Sequence, residues 1–244
     1  MKLGIMQPYF FPYLGYFQLI KSTERWVVFD TPQYTSKTWI NRNRILHPAE
    51  EKEWRYINIP VRKHKREEKI NQIIINDSIR WQRKILGQLT TYKQEAPHYL
   101  EVMELVDEVF AYNTNNLSLF LANSLEKTCA WLGIKFEYSI LSKMNLELNA
   151  VEHPGQWALR ISEALRATEY VNAPSGYRLF DKSEFTERNI KLRFLKPKLS
   201  SYLQKREAFV PGLSIIDVIM WNSRERVLEM LDDYRLLSME EIRG

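Results

Sequence analysis

Two short stretches of this chain carry groups able to do chemistry. The first runs from Gln7 to Tyr13-Leu-Gly-Tyr16, where the apolar run Leu3-Gly-Ile-Met6 breaks and a helical pattern begins. A strand-to-helix turn aims backbone N–H groups and a helix dipole at an anion, and a glycine lets a ligand lie close to the chain. Gln7, Tyr13, Gly15 and Tyr16 are therefore candidates for holding a nucleotide. The phenylalanines around them read as core, and for Gln7, Tyr13 and Tyr16 core packing is an equal alternative. The second stretch is Asp30, Gln33, Trp39, Asn41, Arg42 and Asn43, just past the apolar run Trp26-Val-Val-Phe29. Amides and a guanidinium can read hydroxyls and phosphate, and tryptophan can stack on a ring. Asp30 is a candidate general base, and Arg42 a candidate to offset developing negative charge. A loop that satisfies only its own backbone is the competing reading.

Three weaker features complete the inventory. Lys65 lies in the basic run Arg62-Lys-His-Lys-Arg66 and could grip phosphate, although Glu67 and Glu68 follow at once, as in a solvated loop. Ser175 and Gly176, in Pro174-Ser-Gly-Tyr177, form either a second anion-binding turn or an ordinary one. His98 and His153 each adjoin a proline and read as structural. No metal-binding spacing and no Ser/His/Asp or Cys/His arrangement is recognisable.

The elements that must position these groups alternate between two periods. Strands are expected at Lys2–Met6, Trp26–Phe29, Trp54–Val61, Lys69–Ile75, Ile134–Ile140, Glu169–Ala173 and Ile190–Phe194. Helices are expected from the turn at Tyr13 through Ile20, from Asp77 or Ser78 to Lys93, from Pro97, from Asn116 to Leu132 with Gly133 as its stop, near Gln156–Thr168, near Lys182–Arg188, and from Leu213 into Glu229. Alternation of this kind implies an α/β fold with a mostly parallel sheet and helices on both faces, and the block at about 78–132 reads as a helical insertion. A length of 244 residues with 45% hydrophobic and 27% charged side chains describes one globular domain over 1–244.

Composition excludes several classes. The single cysteine, Cys129, permits no intrachain disulfide and no cysteine-rich zinc site, and a reducing cytoplasm is the expected location. No apolar run is long enough for a bilayer, so no membrane insertion is expected. A net charge of +5, from 35 basic and 30 acidic residues, is too mild to identify a nucleic-acid binder but suits an anionic small molecule.

Tyr13-Leu-Gly-Tyr16 has the spacing of the His-x-Gly-His signature of ATP-using nucleotidyltransferases and adenylating ligases, and so resembles their Rossmann-like architecture. Both histidines are tyrosines here, and neutral phenols bring no positive charge. Adenylyl transfer would then need charge from Arg42, Arg44 or Lys65. Phe29-Asp-Thr-Pro-Gln-Tyr34 resembles the substrate-holding segment of pantothenate synthetase, with its glutamine displaced by one residue.

The wider pattern resembles the WbqC-like protein family. The resemblance rests on Met6-Gln-Pro-Tyr-Phe-Phe-Pro-Tyr-Leu-Gly-Tyr-Phe-Gln-Leu-Ile20, on Asp30-Thr-Pro-Gln-Tyr34 with Trp39-Ile-Asn-Arg-Asn43, and on Pro211-Gly-Leu-Ser-Ile-Ile-Asp217. Trp221-Asn-Ser223 departs from it, because relatives tend to have glycine after the asparagine. The resemblance implies a setting in bacterial polysaccharide and O-antigen biosynthesis, with other enzymes of that pathway as partners. The expected function is a nucleotide-binding transferase or ligase acting on a sugar precursor, for instance by ATP-dependent acylation of an amino sugar. No cofactor is certain, and ATP or another nucleotide is the candidate. A non-catalytic nucleotide-sugar-binding or scaffold protein is the alternative, favoured by the loss of both histidines.

Overall fold

The computed structural model describes residues 1–243. Its strands are β1 (Lys2–Met6), β2 (Arg25–Val28), β3 (Arg42–Leu46), β4 (Trp54–Asn58), β5 (Tyr138–Ile140), β6 (Glu169–Asn172), β7 (Lys191–Pro197) and β8 (Tyr234–Leu237). Six of them form one sheet in the order β5-β2-β1-β6-β7-β8, and β3 and β4 form a separate antiparallel ribbon. The first five strands of the large sheet run parallel, and β8 closes the edge antiparallel to β7. The helices are α1 (Leu14–Lys21), α2 (Trp81–Leu89), α3 (Tyr99–Phe110), α4 (Leu117–Leu132), α5 (Gln156–Ala164), α6 (Lys182–Glu187), α7 (Ile215–Trp221), α8 (Arg224–Asp232) and α9 (Met239–Arg243). This is the expected α/β fold with a mostly parallel sheet.

The pleat sends alternate residues to opposite faces, and the two faces carry separate cores. Trp26, Val28, Val171 and Leu195 pack on one side with residues of α1, α4, α7 and α8. Leu3, Ile5, Val27, Tyr170, Leu192 and Phe194 pack on the other with α5 and α6. Strands covered on both faces must be apolar almost throughout, so β1 and β2 read as unbroken hydrophobic runs. Gly4 is the exception, for a reason of volume. A Cβ there would come within 2.4 Å of the buried Trp26 ring.

Local chemistry sets the helix ends. The Asn116 side chain accepts a hydrogen bond from the Leu119 N–H, capping α4, and Gly133 ends that helix at φ 73°. The expected single helix from Leu213 into Glu229 is two helices. Ser214 caps α7, Asn222 turns extended at φ −124°, and Ser223 caps α8 by accepting from Arg226 N–H. Two capping serines nine residues apart outcompete one continuous apolar stripe.

The expected strand Lys69–Ile75 is instead a single 3₁₀ turn at Ile70–Gln72, flanked by isolated bridges from Lys69 to Gln33 and from Ile74 to Asn116. Its isoleucines face the packed helices rather than a neighbouring strand. The helical block expected at 78–132 contains α2, α3 and α4 and lies between β2 and β5 in the chain. No described helix is long and apolar enough to cross a membrane.

Candidate functional site

The order of the parallel strands reverses between β1 and β6. Chain segments leaving these two strands diverge, and a crevice opens outside their C-terminal ends, where sheets of this type bind ligands. A cavity of about 300 Å³ occupies that position, with Gln7, Tyr9, Phe29, Trp157, Asn172 and Gly176 among its walls. Gln7 follows the last residue of β1, and Asn172 ends β6, so each amide sits at the mouth because its strand stops there. Asn172 Oδ1 accepts from the Ala173 N–H at 2.7 Å, which turns Nδ2 toward Gly176. A Cβ on Gly176 would lie 2.8 Å from that nitrogen. Among the described residues, neither Asn172 Nδ2 nor the Gln7 side-chain amide has a hydrogen-bond partner. Trp157, at the start of α5, lies 6.1 Å from Phe29 between ring centroids and is 37% exposed.

The N-terminal turn is built differently from the expected phosphate cradle. Tyr16 is only 2% exposed, and its hydroxyl donates to the Gln7 carbonyl at 2.8 Å. Its ring packs against Tyr9 and Trp26. Burial holds the phenol well above its ordinary pKa, so it stays a neutral donor. Gly15 does admit close approach, but the visitor is Tyr13. A Cβ at Gly15 would lie 2.5 Å from the Tyr13 ring. The start of α1 is covered by the segment preceding α7, because Ile215 N–H donates to Pro12 and Tyr13 bridges Ser214. The turn thus places neither Gly15 nor Tyr16 on the wall of either cavity, unlike the phosphate cradle expected of them. Tyr16 anchors the loop that presents Gln7. Tyr16→Phe is expected to cost about 1 kcal/mol of stability by deleting one largely buried hydrogen bond, measured by urea unfolding.

Tyr13 lines a second cavity of about 230 Å³ together with Tyr9, Trp39, Arg44, Leu199 and Gly212. Tyr9 belongs to the walls of both cavities. The loop between them passes through Phe11, a non-glycine residue at φ 40°, in a region that costs about 1–3 kcal/mol. Polar clamps hold it there. Asn43 Nδ2 donates to the carbonyls of Phe10 and Phe11, and Ser214 Oγ donates to the Phe11 carbonyl at 2.7 Å.

The polar cluster after β2 does not converge on one site. Asp30 is 1% exposed, and its carboxylate accepts from Ser118 Oγ at 2.9 Å, Ser142 Oγ at 2.6 Å and Ser142 N–H at 3.0 Å. It ties α4 and the turn after β5 to the end of β2. Three donors already occupy this carboxylate, and it borders neither cavity, so the structure gives it a tying role between elements and does not place it at the base position expected of it. Gln33 is exposed and donates to the Arg66 carbonyl at 2.5 Å, holding the basic loop. Lys65 is exposed on that loop and borders neither cavity.

Arg42 and Asn43 are not in a loop at all but in β3, a strand that the residue pattern does not announce. Asn41 precedes it and donates to Asn58 and Ile59. Asparagines on the buried face conceal the strand pattern, because their amides bond backbone there instead of packing as apolar side chains. Arg42 lies on the other face over the Tyr56 ring at 4.0 Å. Of the expected binding residues, Gln7, Ser175 and Gly176 meet at the switch-point crevice. Tyr13, Trp39 and Asn43 meet at the second cavity. Asn172 and Trp157 join the crevice without standing out in the sequence. The available signal was a polar residue closing a buried strand, Tyr-Val-Asn172.

A segment after β7, residues 198–213, walls the second cavity and is locked down by a buried acid. Asp217 on α7 is fully buried. It accepts from Tyr92 at 2.7 Å, Tyr202 at 2.6 Å and Gln204 at 2.9 Å. Arg206 extends the lock by donating to backbone carbonyls of His47, Ala49 and Lys52.

A parallel sheet with helices on both faces and a polar-aromatic crevice at its switch point defines a doubly wound α/β protein. The chain belongs to the WbqC-like protein family, whose model matches residues 7–229. It is 28% identical over 221 residues to the uncharacterized protein Rv1507c of Mycobacterium tuberculosis, covering 89% of this chain and 92% of that protein. No solved structure matches.

Proposed function

We propose that this protein binds a nucleotide or nucleotide-sugar in the switch-point crevice. We further propose that it acts as a transferase or ligase on a sugar precursor in bacterial surface-polysaccharide (O-antigen) biosynthesis. The observation that carries the reading is the pair of unpartnered amides, Gln7 and Asn172, facing one cavity whose other walls include Tyr9, Phe29 and Trp157. Amides donate and accept at once, which suits vicinal hydroxyls, and aromatic faces suit the apolar face of a sugar or a base. The polysaccharide setting rests on the family resemblance. Transfer from a nucleotide-sugar fits this neutral crevice better than ATP-dependent acylation, since the α1 start is covered.

A non-catalytic binding or scaffold role is the second reading. One observation favours it: none of the residues lining the crevice is an acid, a lysine, an arginine or a histidine. The acid–base pair beside it is His153, just before α5, with Glu184 on α6, 3.2 Å apart.

Titration calorimetry against nucleotides, UDP-sugars and dTDP-sugars tests the binding claim. A ligand should bind, and Asn172→Ala should weaken it by about tenfold, the loss of one or two hydrogen bonds. Absence of any binding at millimolar ligand would overturn the enzyme reading and leave a scaffold that recognises a protein partner. Binding without turnover in the presence of candidate acceptors would favour the scaffold.

A further inference from the structure

We infer that the second cavity, centred on Arg44, is an anion subsite that takes the phosphate of a phosphorylated ring compound. Arg44 lines this cavity and its guanidinium lies 5.3 Å from the Trp39 ring centre and 5.2 Å from that of Trp54. Its one hydrogen bond donates from Nη2 to the Gly212 carbonyl at 3.1 Å. Nε is buried without a partner. Among the described residues no carboxylate lies within 4.0 Å of Arg44, and none within that distance of Arg42. Alternation along β3 places Arg42 and Arg44 on the same face of the ribbon, opposite Asn58 and Tyr56 of β4.

The physical case is one of missing charge. A guanidinium withdrawn among aromatic rings loses hydration, and cation–π contacts and one carbonyl replace only part of it. Arg44 is half-buried, and a cation drawn even partly out of water is ordinarily matched by an acid of the same protein. This one instead borders a hollow, and the fork of a guanidinium matches a phosphate or carboxylate geometrically. The remaining walls are flat. Tyr9, Tyr13 and Trp39 offer ring faces, so the anion should be attached to a ring, either a nucleobase-bearing ribose or a sugar.

The size of the hollow points the same way. At about 230 Å³ it is smaller than the roughly 300–1,000 Å³ usual for a whole small-molecule site. It holds part of a ligand, and Tyr9 is the wall it shares with the switch-point crevice. Resting on the reading of that crevice as a ligand site, one molecule would place its neutral hydroxylated end near Asn172 and its phosphate at Arg44. Gly212, at φ 66°, brings the 198–213 segment over the guanidinium. That segment therefore sets the distance between Arg44 and whatever it holds.

The test is calorimetry on the full chain with UDP, ADP and glucose 1-phosphate, each compared with uridine, adenosine or glucose. A phosphorylated probe should bind at least about tenfold more tightly than its unphosphorylated counterpart, and the probe that wins distinguishes a nucleotide from a sugar phosphate. Arg44→Lys keeps the charge but loses the fork, and should weaken that probe by about tenfold. Trp39→Ala, at a residue 40% exposed and so safe for folding, should weaken it severalfold. Equal affinity for phosphorylated and unphosphorylated probes, no binding of any phosphorylated probe at millimolar concentration, or indifference to both substitutions overturns the inference. Asn172→Ala separates the two claims. Loss on Asn172→Ala with indifference to Arg44→Lys keeps the crevice and removes the anion subsite, and the reverse pattern removes the crevice.

Discussion

Asp217→Ala should lower the unfolding free energy by about 3 kcal/mol or more, and melting should fall by roughly 6–12 °C for a chain of this size. The wild-type carboxylate is fully buried and accepts from two tyrosine hydroxyls and the Gln204 amide. Alanine strands all three donors, each at a cost of about 1–3 kcal/mol, and leaves a small hollow. Relief from burying a carboxylate offsets part of this, which is why the expected total is below the sum. Tyr92 also accepts from Leu46 N–H, so the damage reaches the β3 ribbon. The 198–213 segment should loosen with it, raising amide exchange near Tyr202 and Gln204.

The same residue sets a pH dependence. Burial pushes the Asp217 carboxyl above its ordinary 3.8, partly opposed by hydrogen bonds from Tyr202, Tyr92 and Gln204. A folded-state value above the unfolded one means that the folded protein holds this proton more tightly. Its contribution to stability is complete below 3.8 and is lost as pH rises through the raised value. Asparagine cannot titrate. The stability cost of Asp217→Asn relative to wild type should therefore be larger at pH 4 than at pH 7 in urea unfolding. An equal cost at both would show that Asp217 is ionised in the folded state across the range.

Gly155→Ala should be the most damaging change at the crevice. A Cβ at this position would lie 1.9 Å from the Leu179 carbonyl oxygen, and a backbone atom cannot step aside as a side-chain tip can. The 3₁₀ turn Pro174–Leu179 must move as a unit. Overpacking of this kind costs about 1–3 kcal/mol, and here it also displaces Ser175 and Gly176 from the crevice wall. Ligand affinity should fall more than stability does. Calorimetry beside a thermal melt checks this, and an unchanged affinity would place the ligand away from the turn. Gly176→Ala is a milder companion, because the atom it meets at 2.8 Å is the Asn172 side-chain nitrogen.

Periodicity and caps carried much of the architecture. The unbroken apolar runs of β1 and β2, the Asn116 cap and the Gly133 stop are local signals, since each depends on residues a few positions away. The Ser214 and Ser223 caps were equally local, yet an apolar stripe running through both masked them. Gln7, Ser175 and Gly176 could be proposed because strand ends and turns are visible in sequence. Roles were harder. Nothing near Asp30 in the chain reveals that Ser118 and Ser142 fold onto it, and nothing near Gly15 shows that the Tyr13 ring, rather than a ligand, fills its open face.

Local residue pattern was enough to establish an α/β chain with a mostly parallel sheet, and to mark its opening turn and the residues after its second strand as unusual. Those properties follow from repeat spacing and residue type, which act over a few residues. Which of the unusual residues meet is set by long-range packing. The reversal of strand order brings Gln7 beside Asn172, and the packing of residues 198–213 brings Gly212 onto Arg44. Both are contacts across more than a hundred residues of chain, fixed by how the two cores fill space rather than by any local preference.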